Sequence, residues 1–159
     1  MTARVRVIGC GNPEAGDDAV GLLAVGLARR RLPPEVEVVQ AGMSLRVLDL
    51  LEDVDAVVIA DAVRAPSGGR EPGAIVRAVG DPDGLPVELR GSFSSHGLGL
   101  AEAVGLAGVM GALPHVVFLG VEAGDLTAGH GLSPAVASAL PALVDALVEE
   151  VAALAEAPA

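Results

Sequence analysis

Three residues of this chain have the chemistry of metal ligands, and each stands where a regular element begins or ends. Asp18 follows Asp17 in the loop Gly9-Cys10-Gly11-Asn12-Pro13-Glu14-Ala15-Gly16-Asp17-Asp18-Ala19-Val20-Gly21. Asp61 closes the apolar run Val57-Val58-Ile59-Ala60, and His96 lies among small residues in Ser94-Ser95-His96-Gly97-Leu98. Two carboxylates and an imidazole make an open three-donor set for a divalent transition metal. The remaining coordination positions stay free for substrate or water. Taken singly, each residue has a plainer role: an acidic residue caps a helix start, an Asp shapes a turn, a His sits at a surface or cap. Asp17 is the better candidate for the cap. An Asp at the end of a central strand faces the crevice where open α/β sheets bind ligands, provided its strand neighbours the one that leads into the acidic loop.

Other chemistries fit less well. Gly9 and Gly11 suggest a dinucleotide fingerprint, but Glu14 stands where the third glycine belongs. Glu14, Asp17 and Asp18 would repel the pyrophosphate that such a loop cradles. Cys10 has no positive group near it in sequence to lower its pKa, which makes it a poor nucleophile. His115 starts an apolar run and His130 sits between two glycines. Neither joins the acidic set. No helix carrying the HExxH pattern of zinc peptidases is present.

The elements that must position these residues alternate between strand and helix. Arg4–Gly9, Glu35–Gln40, Asp55–Ala62, Ala74–Val79 and Val116–Val121 read as strands, rich in β-branched residues. Ala19–Arg31 reads as a helix whose Val20, Leu23 and Leu27 share a face, and a short helix is expected from about Ser44 to Leu51. A further helix is expected near His96, after a turn over Asp81–Pro86. The connection from the third strand to the fourth is too short for a helical crossover, so these two are expected to pair antiparallel. In the last helix Leu140, Leu143, Val144, Leu147, Val151 and Leu154 form one stripe, with Ser133 as cap, Pro134 in the first turn and Pro141 as an interior kink. These elements predict one three-layer α/β/α domain over residues 1–159.

Composition narrows the partners. Hydrophobic residues make up 52% of the 159 residues but only Phe93 and Phe118 are aromatic. The core is therefore expected to be aliphatic, as in buried parallel strands. A net charge of −11, with every basic residue an Arg, disfavours nucleic acid and anionic membrane. Cys10 is the single cysteine, which excludes an internal disulfide and fits a reducing cytoplasm. No secretory signal pattern is seen. The nearly uncharged stretch Ala103–Val121 has the length of a membrane span, but its glycines and Pro114 divide it into a helix end, a turn and a strand. We expect a cytoplasmic monomer.

At these residues the chain resembles the hydrogenase maturation proteases. The resemblance rests on Gly9, Gly11, Asn12, Asp17, Asp18 and Gly21, then on Ala60-Asp61-Ala62, Ser95-His96-Gly97-Leu98, Leu119-Gly120-Val121-Glu122 and Gly131-Leu132-Ser133-Pro134, in the family's order. It implies a mainly parallel, twisted five-stranded sheet between helices. It also implies an endopeptidase that removes the C-terminal extension of a nickel–iron hydrogenase large-subunit precursor. Asp18, Asp61 and His96 would then be the catalytic, metal-contacting trio, the nickel being carried by the precursor and bound weakly or not at all by the free protease. Such a trio is expected in an open crevice with its carboxylates exposed. Two departures stand out: Gln40-Ala41-Gly42-Met43-Ser44 replaces an acidic residue and a Gly-Thr turn common in the family, and Gly97 replaces an amide residue after the histidine. The alternative from another class is a non-catalytic metal- or partner-binding module on the same scaffold.

Overall fold

The computed structural model describes residues 3–42, 46–65, 69–80, 108–109 and 114–156. Five strands, β1 (Val5–Cys10), β2 (Glu37–Ala41), β3 (Ala56–Val63), β4 (Ile75–Val79) and β5 (His115–Glu122), form one sheet in the order β2-β1-β3-β5-β4. The first three and β5 are parallel; β4 runs antiparallel to β5. The fourth strand is thus antiparallel as expected, but its partner is β5 and not β3. The short link from β3 to β4 leaves a gap one strand wide, and β5 fills it. The expected turn over residues 81–86, the helix near His96 and His96 itself lie outside the described residues.

Burial explains the alternation. Every residue of β3 is buried, as expected of a central strand covered on both faces. One face packs Val5, Val7, Val58, Ala60 and Val117 against α1 (Val20–Ala28) and α3 (Pro134–Glu156). The other packs Ile8, Cys10, Val57, Ile59 and Phe118 with Leu48 and Leu50 of α2 (Arg46–Leu50). Three layers result. The stripe of α3 is as read, with Leu143, Leu147 and Val151 essentially inaccessible, and the helix runs through Pro141 unbroken. The face of α1 is not as read: Leu23 and Leu27 are 44% and 50% exposed, while Val20, Ala24, Val25 and Ala28 meet the core. Small residues win that face because the helix lies hard against the sheet. A Cβ on Gly21 would stand 2.3 Å from the Ala60 carbonyl oxygen and 2.8 Å from that of Cys10. Among the described residues no helix is long and apolar enough to cross a membrane, and residues 115–121 of the uncharged stretch are strand.

Candidate active site

The connection after β1 leads to β2 on one side, and the chain after β3 moves to the other side of the sheet. The carboxyl ends of β1 and β3 therefore flank a topological switch point, the place where open α/β sheets hold ligands. The two strands are direct neighbours, with Gly9 opposite Ala60, so Cys10 and Asp61 follow side by side. Both belong to the α2 face of their strands, since Ile8, Cys10, Ile59 and Val63 share a cluster there.

Asp18 arrives from the loop after β1. A 3-10 turn over Gly16–Ala19 precedes α1 and buries both acidic residues, Asp17 to 0% and Asp18 to 1% exposure. The loop closes tightly enough that a Cβ on Gly11, at φ +133°, would stand 1.9 Å from the Asp18 carbonyl oxygen. Asp18 Oδ2 accepts the Asn12 amide at 2.8 Å, which turns the carboxylate back over the end of β1. Asp61 is 2% exposed, and its Oδ1 accepts the Ala62 amide at 2.8 Å. Burial first, and then the charge of Asp18, raise the Asp61 carboxyl well above the usual carboxylate range, against the pull of the Ala62 amide. Burial, Asp61 and then Asp18 push the Cys10 thiol up as well. A buried thiol beside two acids is a poor nucleophile, in keeping with the sequence.

The structure places Asp18 near enough to Asp61 for its charge to act there, and corrects the surroundings of both. They are not exposed carboxylates of an open crevice but buried ones, because the turn folds back over Gly11 and β3 is covered on both faces. His96, the third member of the expected trio, lies outside the described residues, and among the described residues no three His, Cys, Asp or Glu side chains form a metal-binding group.

Asp17 does not cap its own helix; no side chain caps the turn. Its carboxylate reaches across the molecule instead. Oδ2 accepts the amides of Gly124 and Asp125, each at 2.8 Å, and the Ser133 hydroxyl at 2.8 Å; Oδ1 accepts the Ser133 amide at 2.6 Å. Ser133 precedes α3, so the acid sits at the start of that helix, where a negative charge is favoured. Burial alone would raise the Asp17 pKa, but the amides of Asp125, Ser133 and Gly124 outweigh it and hold the carboxyl below its ordinary value. One further acid went unassigned in the sequence. Glu122 ends β5 and is 3% exposed; its Oε1 accepts the Ala65 amide at 2.8 Å and its Oε2 lies 3.5 Å from Arg70 Nε. The available signal was a charged residue closing an apolar strand, the same signal that marked Asp61.

Fold and site define a doubly wound α/β protein whose switch point holds buried carboxylates in place of a phosphate-binding loop. The family model of the hydrogenase maturation protease HycI matches residues 22–150, and the chain belongs to this family of endopeptidases. The hydrogenase maturating endopeptidase HybD from Escherichia coli is similar over 94% of this chain and 93% of its own, at 25% identity and a TM-score of 0.80. The hydrogenase 2 maturation peptidase from Thaumarchaeota archaeon SCGC_AB-539-E09 has 28% identity and a TM-score of 0.70, over 93% of this chain and 97% of its own. An endopeptidase from Escherichia coli, known from its solution structure, has 28% identity and a TM-score of 0.74, over 95% and 91%. No curated protein sequence matches.

Proposed function

We propose that this endopeptidase, acting as a monomer of one domain in the cytoplasm, removes the C-terminal extension of the nickel-loaded precursor of a nickel–iron hydrogenase large subunit. The observation that carries the reading is the burial of Asp18 and Asp61 at the switch point of the sheet, near enough for the charge of one to act on the other. Two like charges in a poorly solvated site repel, and a divalent cation between them relieves that repulsion. Nickel already held by the precursor is such a cation, and Asp18, Asp61 and His96 are the donors that grip it. Gripping the ion fixes the precursor's tail against the acidic turn, which replaces a bimolecular encounter by a held geometry. Nickel supplies positive charge that polarises the peptide carbonyl or a water. Burial and the charge of Asp18 favour the protonated form of Asp61 in the free protein, so its carboxyl releases that proton to solvent as it takes up the cation.

Family membership favours catalysis over the non-catalytic binding module. The test is incubation with matched nickel-loaded and nickel-free precursor, followed by electrophoresis. The expected result is shortening of the nickel-loaded form only. Equal cleavage of both forms would overturn the nickel-guided reading, and cleavage of neither would restore the binding module.

A further inference from the structure

A cavity of about 460 Å³ opens beside the acidic turn, lined mainly by Pro13, Ala19, Leu22, Leu23 and Leu132. Its size lies within the range of sites that bury an organic ligand, roughly 300–1,000 Å³, and its lining is chiefly apolar, as in such sites. Among the described residues no carboxylate lines it, and Gln40 and His130 are its polar members. Gln40 Nε2 donates to the Leu22 carbonyl at 2.9 Å, which fixes that wall against α1.

Two observations join this cavity to the carboxylates. Gly16 and Ala19, which line it, begin and end the same 3-10 turn that holds Asp17 and Asp18. Another part of its lining, Gly131 and Leu132, leads into Ser133, whose amide and hydroxyl both bind Asp17. The bonds of Asp17 therefore tie these two parts of the lining together, and the cavity is preformed. The hollow thus adjoins the turn that carries Asp18.

From this continuity we infer that the cavity is a specificity pocket for the proteolytic reaction. It takes one large apolar, uncharged side chain of the precursor from the residues flanking the cleaved bond. The inference rests on the proteolytic reading proposed above and deepens it. An acidic side chain is disfavoured, because among the described residues no Lys or Arg lines the hollow, its one imidazole already pairs with the Asp125 carboxylate, and two buried acids lie beside it.

Gly131 and Gly42 both line the cavity, and a Cβ on either would meet nothing within 4 Å. Gly131→Leu and Gly42→Leu therefore add bulk at the lining of the cavity without an inherited clash. With nickel-loaded precursor, each is expected to raise KM about tenfold or more while kcat changes by less than about twofold, with an unaltered melting temperature. In parallel, the unmodified protein is given a panel of precursors in which each of the three residues on either side of the cut is changed in turn to Asp. One position should cost about tenfold or more in KM, the scale of a misfit in an apolar pocket. An unchanged KM in a folded variant, or a panel with no such position, overturns the inference. A parent protein that leaves the precursor uncut defeats the proteolytic reading and the pocket together, whereas an active parent with a flat panel defeats only the pocket.

Discussion

Asp17 and Ser133, 116 residues apart in the chain, are joined by two hydrogen bonds, from the Ser133 amide and from its hydroxyl. Together with the amides of Gly124 and Asp125 they make Asp17 the tie between the acidic turn, the segment after β5 and the start of α3. Hydrogen bonds to a charged group are worth about 1.5–3 kcal/mol each and are not additive. Asp17→Asn sets an NH2 group against amide donors, so a loss of about 3 kcal/mol is expected in urea unfolding. That exceeds the helix-cap value of ~1 kcal/mol expected from the sequence alone. The Asp17 carboxyl is held below its ordinary pKa, so its contribution is complete above the usual carboxylate range and vanishes as pH falls through the folded value. Parent and variant should therefore converge in strong acid. A gap that persists there would show that packing, not charge, is what Asn disrupts.

Asp61 has the opposite sign. Its folded pKa is raised by burial and by Asp18, so its ionisation opposes folding. The penalty is absent below the ordinary carboxylate pKa, about 4, and grows as pH rises toward the folded value. Asp61→Asn should be more stable than the parent at neutral pH and equal to it near pH 4 (about the unfolded pKa). The same variant should lose precursor processing by about 10²-fold or more, since it removes one of the donors that hold the precursor's nickel. A stabilised variant with full activity would remove Asp61 from the reaction.

Asp18→Asn and His96→Ala should each cut processing by about 10²-fold or more, the scale of losing alignment of the reacting bond. Circular dichroism and melting must show both variants folded. For Asp18 the isosteric Asn is the right probe, because Ala would leave the Asn12 amide without its carboxylate partner. Unimpaired cleavage by either folded variant would withdraw that residue from the trio.

Metal content offers a test that needs no precursor. A three-donor shell holds a free ion far less firmly than the closed four-ligand shell of a structural zinc site. The purified protein should contain well under one nickel per chain, and chelator should leave its melting temperature unmoved. A tightly bound ion whose removal unfolds the protein would point to an ordinary resident-metal peptidase.

Much of this arrangement was legible in the sequence. The all-aliphatic runs identify the strands because strands buried on both faces tolerate nothing polar, and the same rule made Asp61 conspicuous at the end of β3. The α3 stripe was legible because its apolar residues recur at helical spacing. Partnership across the sheet was not. Nothing in Ala74–Val79 or the short loop before it shows that β5 comes between β3 and β4, since that choice is made by residues far along the chain. The face of α1 was misjudged because size was weighed over closeness of approach: Leu23 and Leu27 are larger, but Gly21 and Ala24 let the helix reach the sheet. Asp17 looked like a local cap because its true partners lie more than a hundred residues away. Local pattern marked both acids of the turn, but could not find where Asp17 points.

The place of β5 in the sheet also has a consequence in time. Strands β1, β2 and β3 can pair as the ribosome delivers them, but β4 has no neighbour until residues 115–122 have emerged. The acidic turn is made first and fastened last, since the groups that bind Asp17 are synthesised more than a hundred residues after it. Such non-local closure slows folding, because the chain must be ordered before the contact rewards it. During synthesis Asp17 therefore stays without these partners, and the acidic turn is fastened only in a chain that has been translated past Ser133.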